Sequence, residues 1–367
     1  MTSLSESAAE RLVADRAFAP GLPGFVGVAV DLLPDEHEHD PVPDGDPGEP
    51  LLARRPLRHG FLTTGPARVV TVSGPPSPGI ESSAARMTED LRLALPLIGA
   101  RAAVPGAAAD AATAGIRIGL EAGVDGAGPY GLIRRWHLAH ALAPVLAAAF
   151  ANAPLRHGRP SGWRSVRQAP RRDLPPAPPG ADPRAAWAAL VLDSPYRRPT
   201  GGVRDEPSGG RTFRELTRRT PGDRPGAADL DRHLAALRPP VAARGHLELD
   251  VADAQPGDGW VVPLAVTAAL LDDAYAAAEA ECATRPLAGT PRLWERAARD
   301  ALTDPELAAA ARECFVAAYG ALARQGVSRE IRDAVAAFTE RYVLRGRCPA
   351  DDVLDRVARA TAKEAQW

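Results

Sequence analysis

The sequence predicts an α+β fold. Three observations carry that prediction. β-Branched, alternating segments recur through the first two thirds of the chain, amphipathic stretches lie between them, and the C-terminal third has helical periodicity alone. At 367 residues and 45% hydrophobic, the chain has enough apolar surface for a sizeable core.

The elements follow in order. Residues up to about 19 read as a short helix. GFVGVAVDLL, 24 to 33, is a strand, β-branched and bounded by Pro and Gly. PDEHEHDPVPDGDPGEP, 34 to 50, is too rich in Pro and Gly for regular structure. Its His37, His39 and acidic neighbours have the composition of either a metal site or a solvated loop. RVVTVS, 68 to 73, is a strand closed by the turn GPPSPG, and residues 81 to 98 read as a helix. In GIRIGLEAG, 115 to 123, Ile116, Ile118 and Leu120 share one face by period two, with Arg117, Gly119 and Glu121 on the other. A helix from about Tyr130 to Asn152 carries the apolar stripe Leu132, Trp136, Ala139, Ala143, Leu146 and Phe150. Arg134 and Arg135 begin it, and His137 and His140 read as surface or satisfied buried groups.

Residues 182 to 193 look helical, and Ser194 to about Pro225, rich in Arg, Gly and Pro, reads as a surface excursion. RGHLELDVAD, 244 to 253, is the clearest strand, with Leu247, Leu249 and Val251 opposed to His246, Glu248 and Asp250. From Gly259 onward the pattern is helical. Thr303 and Glu306 form a capping box, and SREIRDAVAAFTERYV and PADDVLDRVARATA supply the last two helices.

A net charge of −2 gives no general attraction to nucleic acid or to an anionic membrane. Lys363 is the only lysine, which removes a catalytic lysine from the rest of the chain. Cys282, Cys314 and Cys348 are odd in number and widely spaced, so they form neither a disulfide framework nor a zinc motif, and each reads as buried packing. The polar MTSLSESAAERL has no signal-peptide core and no apolar run reaches spanning length, so a cytoplasmic protein is expected.

Two features carry chemistry. ANAPLRHGRPSGWRSVRQAP, 151 to 170, sets Arg156, Arg159, Arg164 and Arg167 beside Trp163 in a Pro/Gly-broken loop. Guanidinium forks match phosphate and carboxylate oxygens, so this loop holds either an anionic ligand or the chain's own acids. Glu248 and Asp250, two apart on a strand, point the same way and either share a divalent cation or form a solvated polar edge. There is no Walker loop, GxGxxG or nucleophile elbow to specify a commoner site.

RRWHLAHALAPVLAAAFANAPLRHGRPSGWRSVRQA, RGHLELDVADAQPGDGWVVPLAVTAALLDD and ERYVLRGRCPADDVL together resemble the glutamate–cysteine ligases of bacterial ergothioneine biosynthesis. These are GCS2-type carboxylate–amine ligases with a glutamine-synthetase-like antiparallel sheet, and the chain is identified as a divergent member. The resemblance implies one domain over 1–367: a strand-rich part at 1–125, a substrate- and phosphate-binding part at 126–258 and a helical part at 259–367. It implies ATP-dependent formation of γ-glutamylcysteine through γ-glutamyl phosphate, with ATP and Mg²⁺ as cofactors and L-glutamate and L-cysteine, or another amine, as partners.

Carried over residue by residue, Asn152, Trp163, Arg164, Ser165 and Arg167 match the segment that meets substrate and phosphates. Arg164, Arg167 and Glu248 match catalytic positions, and Asp253 an acidic position of the family's HLELxxxDAQP segment. Several family carboxylates are replaced. Ala29 and Asp31 stand for two strand glutamates, Gly65 and Thr71 for two more, and Val69 for a glutamine. Gly115, Arg117, Gly119 and Glu121 stand where the family alternates Ser, Gln, Asn and Asp, and Asp250 replaces an arginine. A rearranged metal set would then draw on Asp31, Glu121 and Glu248, with Asp250. The alternative reading is a catalytically inactive homologue that binds substrate or regulates an active paralogue.

Overall fold

Alternating β-branched residues build a sheet down the centre of the molecule, and apolar helices cover one of its faces. The computed structural model describes residues 3–33, 54–64, 69–98, 114–126, 128–174, 182–198 and 206–364. The acidic segment 34 to 50 and Gly65 lie outside the described residues.

The chain begins with α1 (Glu6–Ala17), β1 (Phe25–Leu32), β2 (Arg54–Pro56), β3 (Phe61–Thr64), β4 (Val70–Ser73) and β5 (Ser77–Pro78). There follow α2 (Gly79–Leu97), β6 (Gly115–Leu120), α3 (Leu132–Ala149), the short pair β7 (Leu155–Arg156) and β8 (Arg159–Pro160), and α4 (Pro183–Asp193). Next come β9 (Pro195–Arg198), β10 (Glu206–Thr212), α5 (Phe213–Thr217), α6 (Ala227–Ala236), β11 (Val241–Ala243) and β12 (Leu247–Asp253). The C-terminal part is α7 (Val261–Asp272), α8 (Ala274–Thr284), α9 (Leu293–Arg299), α10 (Pro305–Arg324), α11 (Arg329–Arg341) and α12 (Pro349–Glu364).

Eight strands form one antiparallel sheet in the order β11-β12-β6-β1-β4-β3-β2, with β5 added to β1. The expected α+β class is therefore what forms. Val26, Val28, Val30 and Leu32 of β1 are buried, as are Ile116, Ile118 and Leu120 of β6 and Leu247, Leu249 and Val251 of β12. Strand alternation puts the β1 and β6 sets, with Leu247 and Leu249, on one face against α2, α3 and α7; a bulge between Leu249 and Ala252 then shifts the alternation, so that Asp250 and Asp253, three residues apart, share the other face. The predicted stripe of α3 is buried throughout. Beyond it, Phe150, Phe315 and Phe338 bring their rings to 5.2–5.8 Å and join α3 to α10 and α11.

One end of the sheet is locked by Arg135, which is buried. Its Nε and Nη2 donate to the carbonyl of Glu121 at 3.1 and 2.8 Å, its Nη1 to the carbonyl of Leu271, and its Nη2 also to Asp272. That single side chain ties the end of β6 to the end of α7.

Four expectations need correction. In the described part of Ser194 to Pro225, expected as a surface excursion, β9 pairs with β10, and buried Tyr196 and Phe213 anchor the pair, with Phe213 stacked on His233 at 5.1 Å. The cap of α10 is Asp304, whose Oδ1 accepts from Glu306 and Leu307, because Pro305 already occupies the first helical turn. Cys282 is exposed, whereas Cys314 and Cys348 are buried, and all three are free. His140 packs edge-on against Trp136 with its Nε2 buried and without a hydrogen-bond partner among the described residues, so it is not a satisfied group. Among those residues no single helix is long and apolar enough to cross a membrane.

Burial, reinforced by His137, pulls the pKa of His140 down to about 4 from its ordinary 6.5. The unfolded chain binds the proton first, so the neutral ring's contribution is full above pH 6.5 and is lost as pH falls toward 4. At ~1.4 kcal/mol per unit the contribution is about 3 kcal/mol. Urea denaturation from pH 7 to 4 should therefore show a shallower decline for His140→Gln than for wild type; an identical slope would remove His140 from the account.

Candidate active site

The face of the sheet turned away from α2, α3 and α7 is polar, and three aspartates on it are held by three arginines. Asp31 lies near the end of β1, opposite Thr71 of β4 and diagonal to Arg117 of β6. The Thr71 hydroxyl donates to its Oδ1 at 2.7 Å, and Arg117 reaches Oδ1 at 3.0 Å and Oδ2 at 3.1 Å. Asp250 of β12 is buried and bracketed by two guanidiniums. Arg167 donates to its Oδ1, while Arg171 lies 2.7 Å from Oδ2 and also donates to its backbone carbonyl. Asp253, also buried, accepts from the backbone N–H of Asn152 at 2.8 Å and from Ser165 Oγ at 3.0 Å, with Arg167 at 3.7 Å.

Charge decides the protonation states. Burial alone would raise the pKa of Asp250, but Arg167, Arg171 and Arg117 outweigh it and hold the carboxyl far below the usual range. Burial raises the pKa of Asp253, against the pull of Arg167. Burial also brings Arg171 down to about 10, which still leaves it cationic at neutral pH. Removing one partner of such a buried pair costs about 3–5 kcal/mol, because the other charge is left without compensation.

Glycine makes the arrangement possible. A Cβ at residue 115 would lie 2.2 Å from the guanidinium carbon of Arg167, so Arg167 lies flat on β6 only because residue 115 has no side chain. Gly119 gives the same clearance to the ring of His246, which a Cβ would approach to 2.9 Å.

The residues singled out by sequence are placed as follows. Asn152, Ser165 and Arg167 converge on Asp253, and the Asn152 amide also donates to the Ala254 carbonyl at 2.7 Å. Arg164 turns away to Asp351 at the start of α12, at 2.8 Å. Glu248 is paired with Arg244 at 2.8 Å. Asp31, Glu121 and Glu248 are not brought together. β1 and β6 run antiparallel with Val30 opposite Ile116 and Val26 opposite Leu120, which puts Asp31 and Glu121 about 20 Å apart at ~3.3 Å per residue. Among the described residues no three His, Cys, Asp or Glu side chains converge as metal ligands.

The 163–173 segment has a second side. Arg167 and Arg171 face the sheet, whereas Trp163, Val166, Ala169 and Arg172 line a cavity of about 760 Å³ together with Arg156 and Arg159. Arg172 lies over the Trp163 ring at 5.2 Å. Arg156 and Arg159 form no ion pair among the described residues. Arg238, just after α6, donates to the backbone carbonyl of Ala235 at 2.8 Å and has no carboxylate partner among the described residues.

Arg117, Arg171 and Arg172 escaped sequence reasoning as site residues. The available signal was the Gly115–Arg117–Gly119 alternation, since glycine inside a strand marks close approach by another group.

Fold and site together define an α+β protein whose polar sheet face and neighbouring basic cavity suit an anionic ligand. The chain belongs to the glutamate–cysteine ligase family 2 (GCS2), whose model matches residues 85–366. The match begins within α2, so β1 to β5 fall outside it. The chain is 32% identical over 412 aligned residues to glutamate–cysteine ligase EgtA of Mycobacterium tuberculosis (strain CDC 1551 / Oshkosh), covering 96% of this chain and 90% of the relative. It is 36% identical over 262 residues to EgtA of Mycolicibacterium smegmatis, covering 69% and 59%. It is 28% identical over 137 residues to the chloroplastic glutamate–cysteine ligase A of Oryza sativa subsp. indica, covering 34% and 28%.

The seating of Arg167 on Gly115 is testable by a double-mutant cycle. Gly115→Ala should cost about 1–3 kcal/mol of stability in the wild-type background, as overpacking does. In the Arg167→Ala background the same change should cost close to nothing. Equal losses in both backgrounds would mean that Arg167 does not lie on the strand.

Proposed function

We propose that this chain joins the γ-carboxyl of L-glutamate to the amine of L-cysteine with consumption of ATP, the step that supplies γ-glutamylcysteine to ergothioneine biosynthesis. The observation that carries the reading is the 32% identity to a glutamate–cysteine ligase in an alignment covering 96% of the chain. The arginine-rich site supports it independently. Nothing in the comparisons supports the alternative of an inactive partner of a paralogue.

The chemistry brings anions together and builds charge on transferring oxygens, so the chain's task is to offer preorganised donors where water is excluded. Arg156, Arg159 and Arg172 around the 760 Å³ cavity fit a polyphosphate, and the Trp163 face offers a flat apolar surface beside them. On the sheet, the Asp250 and Asp253 pairs fix the segment that forms one wall of this cavity.

Asp31, Asp250 and Asp253 do not fit a bound Mg²⁺. A hard cation needs open oxygen ligands around it, and those of Asp31, Asp250 and Asp253 already accept hydrogen bonds from guanidinium, hydroxyl and backbone donors. The roles above therefore rest on guanidinium groups.

Purified protein given ATP, glutamate and cysteine should release ADP and form γ-glutamylcysteine only when all three are present. ADP release that ignores both amino acids, or no product under any condition, would overturn the reading. Arg156→Ala with Arg159→Ala should raise the KM for ATP by roughly tenfold with little change in kcat, the pattern of lost uniform binding. An unchanged KM would move the nucleotide elsewhere.

A further inference from the structure

We propose that Asp31, Asp250 and Asp253 on the polar face of this sheet hold no divalent cation: Arg117, Arg167 and Arg171 stand where a cation would have to be and neutralise those carboxylates themselves. The inference deepens the ligase reading and rests on it for the expectation that a cation accompanies the phosphorylated ligand.

Four observations converge. Asp31 has both oxygens engaged, by Thr71 and by the two terminal nitrogens of Arg117. Asp250 is engaged at both oxygens by different guanidiniums. Asp253 is engaged at both by Asn152 and Ser165, with Arg167 close by. Finally, Gly115 leaves the space in which the Arg167 guanidinium lies, so that arginine is seated by the strand rather than swung in from solvent.

The charges are balanced within the network, three guanidiniums against three carboxylates. A divalent cation entering it would have to displace a bidentate or doubly held arginine and leave that arginine buried without a partner.

Mn²⁺ titration followed by electron paramagnetic resonance, without nucleotide, tests this on the full chain. The decisive comparison is wild type against Asp31→Asn, because it is blind to ion binding elsewhere on the chain. The two isotherms should coincide. Arg117→Gln, which frees Asp31, should bind Mn²⁺ roughly tenfold more tightly or better, since a cationic neighbour has been withdrawn at close range. That gain should vanish in the Arg117→Gln, Asp31→Asn double variant, while Arg117→Lys, which keeps the charge, should follow wild type.

Weaker Mn²⁺ binding in Asp31→Asn than in wild type would overturn the proposal, as would an unchanged isotherm in folded Arg117→Gln. If Arg117→Gln does not fold, the wild-type and Asp31→Asn pair decides alone. Product formation is read separately, so the ligase reading and this inference can fail independently.

Discussion

The carboxylate of Asp250, buried between Arg167 and Arg171, is the constraint on which the rest of the site depends. It sits on the strand next to β6, and its two partners come from a segment about eighty residues earlier in the chain. An ion pair of this kind is weak evidence for net stability, because desolvation takes back most of the Coulombic gain. What it supplies is position. With two guanidiniums committed to one carboxylate, the 163–173 segment can sit against the sheet in one register only. The backbone of that segment then carries Ser165 to Asp253, turns Trp163 and Arg172 outward, and forms one wall of the basic cavity.

The same constraint explains the composition of β6. Gly115 and Gly119 would weaken a strand judged by propensity alone. Each instead leaves room for a side chain lying across the sheet, Arg167 in one case and His246 in the other. Arg117 between them neutralises Asp31 on the adjacent strand. Charge on this face is arranged in a pattern in which arginine and aspartate answer one another.

Much of this fold was legible in the sequence, and the reason is periodicity. β1, β6, α11 and α12 follow a one-sided repeat, which burial of one face imposes; α7 and the second half of α3 are buried all round and were legible from their continuous apolar runs. The strands β2, β3 and β11 and the β9–β10 hairpin were not legible. They are short or rich in Arg, Gly and Pro, and their place is set by partners far away in the chain, such as Phe213 against His233. The site was legible by residue type but not by pairing. The arginine loop was recognisable as an anion holder, yet nothing local shows that Arg167 answers Asp250 eighty-three residues on, while Arg164, three residues before it, answers Asp351. The resemblance marked Asn152, Ser165 and Asp253 as site residues, and the structure adds that Asn152 and Ser165 both hydrogen-bond to Asp253.

The most direct test of the account is the coupling between Asp250 and Arg171. Chemical denaturation of Asp250→Asn, Arg171→Gln and the double variant closes a thermodynamic cycle. If the buried pair holds the segment to the sheet, the double variant should be less destabilised than the sum of the single changes by about 2–3 kcal/mol. Losses that add to within ~0.5 kcal/mol would show that the two side chains do not depend on each other, and would contradict the account.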